Sequence, residues 1–228
     1  MKKYLYILAV LIIPLTVINA CKHEIPQAVL SSTPVTGGTN EVCFQSQILP
    51  IFQSNCAKSG CHDAASHNDD YVFDNYANIV KKDVRPGNAS NSKVYKVLFE
   101  TGNDKMPPAP NPDLTTEQKA LIGKWINEGA KNTVNCTVTC DSTQFKYGAN
   151  VSVILGTYCV GCHSGAAPSG NVDLSTYNAV KNIALSGRLV GAVSQAPGFF
   201  AMPKNASKLS DCQIAQIRKW VNAGALNN

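Results

Sequence analysis

Gly-Thr-Tyr-Cys-Val-Gly-Cys-His-Ser-Gly, residues 156–165, places two cysteines three positions apart and a histidine directly after the second. Three chemistries use two thiols and an imidazole in that order: a zinc site, a redox-active dithiol and covalent attachment of a c-type haem. The residues before the motif, Ser-Val-Ile-Leu-Gly-Thr-Tyr at 152–158, read as an apolar helical stretch. The same arrangement occurs earlier, where Ser-Gln-Ile-Leu-Pro-Ile-Phe-Gln-Ser-Asn at 46–55 runs into Cys-Ala-Lys-Ser-Gly-Cys-His at 56–62. That earlier motif has four residues between its thiols, and the later one has two.

The two stretches continue in step. Tyr76 follows His62 by fourteen positions, and Tyr177 follows His163 by fourteen. Lys-Met-Pro-Pro at 105–108 answers to Ala-Met-Pro-Lys at 201–204, and the segment at 120–130 ending Lys-Trp-Ile-Asn-Glu-Gly-Ala answers to the one at 215–225 ending Lys-Trp-Val-Asn-Ala-Gly-Ala. Met106 precedes Trp125 by nineteen positions and Met202 precedes Trp220 by eighteen. Matched offsets of this kind mark an internal repeat.

Leu114, Leu121, Ile122, Trp125 and Ile126 recur with a 3.6-residue period, as do Ile214, Ile217, Trp220 and Val221, so each repeat closes on an amphipathic helix. Thr115 with Gln118 and Ser210 with Gln213 have capping-box spacing, and Gly129 and Gly224 suit the helix stops. Short helices are also predicted before each Cys motif, after Tyr76 and Tyr177, and over 93–100, while Pro107, Pro108, Pro110 and Pro112 impose an extended loop after Met106. Sustained period-2 alternation is absent. The expected fold is therefore all-α, a tandem pair of small helical domains at 42–136 and 137–228, as 228 residues allow.

Met1-Lys2-Lys3, an apolar run from Tyr4 to Ile18, and then Asn19-Ala20-Cys21 read as a signal peptide over 1–20, since the run is too short to span a bilayer comfortably. Ile-Asn-Ala-Cys at 18–21 resembles the bacterial lipoprotein box, although Asn19 departs from its usual small or apolar residue. Cys21 is accordingly the expected lipidation site, and 21–41, rich in Ser, Thr, Pro and Gly, the flexible tether behind it. The expected location is exported, in the bacterial periplasm or on the cell surface, with the membrane as one partner. Without Lys2 and Lys3 the chain carries 18 basic against 15 acidic residues, with no basic run, which excludes a nucleic-acid signature.

A covalently held haem needs two thiols for its vinyl carbons and an imidazole beneath its iron, and a Cys-x-x-Cys-His segment supplies all three. A thioether suits the sixth iron position because it stabilises reduced iron. The chain has three methionines; Met1 leaves with the signal peptide, and Met106 and Met202 occupy the same slot of the repeat, each followed by proline. They lie forty-four and thirty-nine residues beyond His62 and His163. A dithiol of the thioredoxin kind needs a βαβ pattern that the sequence lacks, and zinc gives no reason for the paired methionines.

From residue 42 onward the sequence resembles proteins with two cytochrome c domains, in particular lipoprotein-type c domains with an Ile-Leu-Pro-Ile-Phe lead into a looped Cys-x-x-x-x-Cys-His and a closing Trp-Ile/Val-Asn-x-Gly-Ala helix. The resemblance implies an electron carrier with two c-type haems and redox-protein partners. Cys159, Cys162, His163 and Met202 would hold one haem; Cys56, Cys61, His62 and Met106 the other, with Ser59 and Gly60 forming the bulge that the longer loop requires. Of the nine cysteines, Cys43, Cys136, Cys140 and Cys212 then remain, and an oxidising compartment suggests two disulfides with three possible connectivities. Cys43 with Cys136 and Cys140 with Cys212 is the favoured pairing, each bond tying the start of one domain to its end.

Four aromatic and two histidine side chains stay open. Tyr76, Tyr177, Trp125 and Trp220 are candidates for haem-pocket lining with a hydrogen bond to a propionate, or for core packing; His23 and His67 read as solvated, with Asp69 and Asp70 near the latter. Two rival functions accompany the electron carrier: a dihaem peroxidase-like enzyme, which needs an iron able to open a position, and a haem-free, disulfide-stapled surface lipoprotein.

Overall fold

The computed structural model describes residues 34–36, 41–136, 140–204 and 206–228; the expected signal peptide, Cys21 and His23 lie outside them. Among the described residues, 46% are helical and 2% are strand, so the fold class is all-α, as the hydrophobic periodicity predicts. No helix among them is long and apolar enough to cross a membrane.

In chain order the helices are α1 (Leu49–Asn55), α2 (Tyr76–Val80), α3 (Lys93–Lys96), α4 (Thr116–Asn127), α5 (Ser152–Tyr158), α6 (Tyr177–Leu185), α7 (Arg188–Ser194) and α8 (Asp211–Asn222). A π-helical turn leads into α1 (Phe44–Ile48) and another into α5 (Tyr147–Val151). Pro50 sits in the first turn of α1, where its missing N–H costs nothing. Both capping boxes form: Thr115 and Gln118 at α4, Ser210 and Gln213 at α8, each side chain satisfying the other's backbone N–H.

The buried side chains fall into two clusters. One runs from Val42 to Ala130 and centres on Ile48, Phe52, Ile122 and Trp125; the other runs from Val151 to Ala225 and centres on Leu155, Val180, Ile217 and Trp220. Phe44 and Tyr147, each twelve residues before its first motif cysteine, pack on Trp125 (5.5 Å between ring centroids) and Trp220 (5.3 Å) and lie edge-on to Tyr76 and Tyr177. Truncating either tryptophan to alanine would cost about 3–5 kcal/mol.

The ends of α4 and α8 explain the Asn-x-Gly-Ala signature. Gly129 and Gly224 take φ of 100° and 92°, which only glycine adopts cheaply, and the alanine after each donates to the carbonyl of Trp125 or Trp220 at 2.9 and 3.0 Å. Tyr76 Oη then donates to Ala130 O at 2.9 Å and Tyr177 Oη to Ala225 O at 2.7 Å. The indoles of Trp125 and Trp220 donate to Lys131 O and Leu226 O at 2.9 and 2.8 Å. These four donors therefore lock the chain reversal after the last helix of each half. Of the two roles open to them, a hydrogen bond to a propionate or packing in the core, their contacts match the second, since each gives its one proton to a backbone carbonyl.

Cys43 is bonded to Cys136 and Cys140 to Cys212, closing 93 and 72 residues of sequence. Beside the first bond, Thr133 Oγ1 accepts from Phe44 N at 2.7 Å and donates to Val42 O at 2.9 Å. Two features depart from the sequence reading. Val35–Thr36, inside the segment expected as tether, pairs in parallel with Thr133–Val134. Helix α7 has no hydrophobic stripe long enough to announce it; Gly191 lets the Phe199 ring lie against its backbone, where a Cβ would stand 2.6 Å from the ring.

Candidate functional site

Helices α1 and α5 deliver the two motifs: each ends at the first cysteine, Cys56 or Cys159, whose N–H still bonds back to Phe52 O or Leu155 O at 2.8 Å. In the shorter loop, His163 N donates to Cys159 O at 3.0 Å. In the longer loop, His62 N donates to Cys56 O at 3.2 Å, so the histidine returns to the same anchor despite two extra residues. The surplus forms a bulge. Cys61 N bonds Lys58 O at 2.9 Å, Gly60 turns at φ 80°, and Ser66 Oγ and the Asn68 amide hold Gly60 N and O at 2.7 and 3.0 Å. Ser59 and Gly60 thus take the bulge position expected of them.

Beyond the histidines the anchorage continues to match. Asn68 N bonds Cys61 O and Ser169 N bonds Cys162 O, both at 3.0 Å and seven residues on; Phe73 N bonds His62 O and Leu174 N bonds His163 O, at 3.0 and 2.7 Å and eleven residues on. Each imidazole also meets a main-chain carbonyl, though at different places in its loop, six residues on from His62 and nine on from His163. His62 Nδ1 lies 3.1 Å from Asn68 O and His163 Nδ1 lies 3.2 Å from Val172 O. A carbonyl can only accept, so Nδ1 carries the proton and the lone pair is left on Nε2, which is how a protein prepares a histidine for a metal.

The four motif thiols are unpaired while the other four described cysteines are joined in disulfides. Burial pushes Cys56 and Cys159 up to about 12, the second thiol of each pair adding to the rise, and burial also raises Cys162. For Cys56 this reflects an enclosed sulfur on a residue that keeps some exposure. A catalytic dithiol needs the opposite shift. The Lys58 charge works against the rise at both Cys56 and Cys162, which places that ammonium near both motifs.

Met106 and Met202 are half-buried, and the backbone of each is fixed from the preceding helical segment: Met106 N donates to Val97 O at 2.9 Å and Met202 N to Ala192 O at 3.1 Å. Lys58 Nζ donates to Asn111 Oδ1 at 2.7 Å, tying the bulge of the first motif to the loop that carries Met106. Phe200, two residues before Met202, is 89% exposed, and Phe99 is exposed in the segment before Met106. The surroundings of the two imidazoles differ: Phe73 and Tyr71 lie edge-on to His62 at 5.1 and 5.9 Å, where Leu174 and Val172 hold the corresponding positions after His163.

Among the described residues no three His, Cys, Asp or Glu side chains form a metal-ligand cluster. His67, Asp69 and Asp70 are exposed. A surface groove of about 570 Å³ between α3 and α4, lined by Tyr95, Gly123, Lys124 and Asn127 among others, contains none of the motif residues. The Phe44 and Tyr147 contacts with the tryptophans went unread in the sequence, although their common twelve-residue offset before the first cysteine was a usable signal. Comparison with protein-family models, with curated proteins and with solved structures finds no match to this chain.

Proposed function

We propose that the chain is an electron carrier made of two cytochrome c-like domains, 42–136 and 137–228, each holding one covalently attached haem, exported and anchored in a membrane through a lipid on Cys21. The observation that carries this reading is the matched anchorage of the two Cys-Cys-His loops, with Nδ1 of each imidazole facing a carbonyl and Nε2 free. Two thiols and an imidazole on one turn of chain address different atoms of a single large ligand, so they have no need to converge on one centre. The four motif thiols stay unpaired while the other described cysteines are joined in disulfides, and burial, which holds Cys56 and Cys159 high, is the reverse of what a dithiol switch needs.

When bound, each haem supplies a one-electron couple whose potential a His/Met ligand pair raises. The chain's own residues do the rest. Cys56 and Cys61, and Cys159 and Cys162, would hold the macrocycle through their sulfurs, His62 and His163 would offer Nε2, and Met106 and Met202 would offer the thioethers. If Met106 and Met202 complete the ligation that His62 and His163 begin, the iron would have no position for substrate, which favours electron transfer over peroxidase chemistry.

The test is production in a host that matures c-type cytochromes. The purified protein should keep its colour through denaturing electrophoresis and show reduced c-type absorption bands. A colourless, zinc-containing product would overturn the proposal, and a colourless metal-free one would leave the disulfide-stapled lipoprotein.

A further inference from the structure

We infer that the two attachment loops meet in one junction that holds the two haems side by side as an interacting pair, with Gly161 as the positioning residue; this rests on the two-haem reading above. Helices α1 and α5, which end in the first cysteines of the two motifs, pack directly on one another. Ser54 and Thr157 hold equivalent places, each two residues before its cysteine, and Ser54 Oγ donates to Thr157 O at 2.8 Å. Equivalent residues therefore meet at the crossing, although the bond runs one way, since Thr157 Oγ1 donates to Val153 O within its own helix.

From that crossing the C-terminal motif runs over the end of α1. A Cβ built on Gly161 would stand 2.0 Å from Ser54 O and 2.5 Å from its carbonyl carbon, so this approach exists only because residue 161 has no side chain. Cys162 Sγ lies 3.6 Å from the same oxygen. Further bonds seat the contact: Gln118 Nε2 donates to Gly156 O at 3.0 Å, and Tyr158 Oη to Ser46 O at 2.7 Å. Ser54 is two residues from Cys56, and two residues of chain span at most about 7 Å, which puts the Cys162 sulfur within roughly 11 Å of the Cys56 backbone.

Macrocycles bonded to Cys162 and to Cys56, whose backbone lies that close to the Cys162 sulfur, would share one neighbourhood. Charge on one such group would reach the other through the packed junction of Ser54, Gly161 and Cys162 rather than through bulk water, which would make the two one-electron couples interdependent.

The experiment is electron paramagnetic resonance of the full-length protein, with covalent haem counted on the same sample. Fully oxidised wild type should show low-spin signals broadened by spin–spin interaction, which sharpen when one haem is reduced. Gly161→Val, which forces the Ser54 carbonyl away, should keep two haems and weaken the broadening several-fold, with Gly161→Ala intermediate; wild type alone decides if the valine variant fails to fold. Two covalent haems with the spectrum of two isolated centres would overturn the pairing while leaving the two-haem reading intact. Broadening unchanged in a folded Gly161→Val protein would overturn the role of Gly161. A sample without covalent haem would overturn the two-haem reading itself, and this inference with it.

Discussion

The loop from Cys56 to His62 is two residues longer than the loop from Cys159 to His163, and the extra length goes outward. Lys58 to Gly60 form a bulge held by Ser66, Asn68 and Asn111, while the second cysteine and the histidine keep the same backbone partners seven and eleven residues on. What the two sites hold in common is thus the backbone anchorage of the second cysteine and the histidine rather than the spacing of the thiols, while the carbonyl facing Nδ1 comes from six residues on at His62 and nine on at His163. They differ again around the ring, aromatic at His62 and aliphatic at the equivalent positions after His163.

The largest effect should come from removing the thiols of one loop. Cys159→Ala with Cys162→Ala should halve covalent haem per chain, and Cys56→Ala with Cys61→Ala should halve it equally. Loss on the first substitution pair but none on the second would break the equivalence of the loops. Met202→Ala should lower the reduction potential of the C-terminal haem or open it to small ligands, and Met106→Ala should do the same for the other; an unchanged spectrum and potential would remove that methionine from its site.

Smaller effects concern the frame. Replacing Cys43 and Cys136, or Cys140 and Cys212, by serine should each lower stability by about 2–5 kcal/mol in a denaturant titration. The entropic difference between spans of 93 and 72 residues is only about 0.2 kcal/mol, so a large inequality would point to strain or unfolded-state structure on one side. Gly60→Ala meets no atom within 4 Å but keeps φ at 80°, so its cost should be the backbone term alone, about 1 kcal/mol, with reduced haem loading confined to the first loop. Smallest should be Tyr76→Phe and Tyr177→Phe, about 1 kcal/mol each with potentials unmoved, because both phenols serve Ala130 and Ala225 carbonyls. A shifted potential in either would restore the propionate role.

Much of this was legible because it is local. The amphipathic period around Trp125 and Trp220, the capping boxes at Thr115 and Ser210, and the cysteine–histidine order all lie within a few residues of chain. Setting the motif cysteines aside leaves three connectivities for Cys43, Cys136, Cys140 and Cys212, and the one favoured because it ties the start of each domain to its end is the one the structure has. Long-range partners were not legible. A tyrosine fourteen residues after a histidine does not say that its hydroxyl will meet an alanine carbonyl fifty-four residues away, and Gly161 reads as filler until Ser54 is found against it. The pairing of Val35–Thr36 with Thr133–Val134 was not legible because a two-residue strand leaves no periodicity to read.

The most direct measurement is the mass of the peptides spanning 56–62 and 159–163 from the mature protein. Each should be heavier by one covalently joined haem, through its two cysteine sulfurs. Finding both peptides at their bare mass, with four free thiols, would contradict the account.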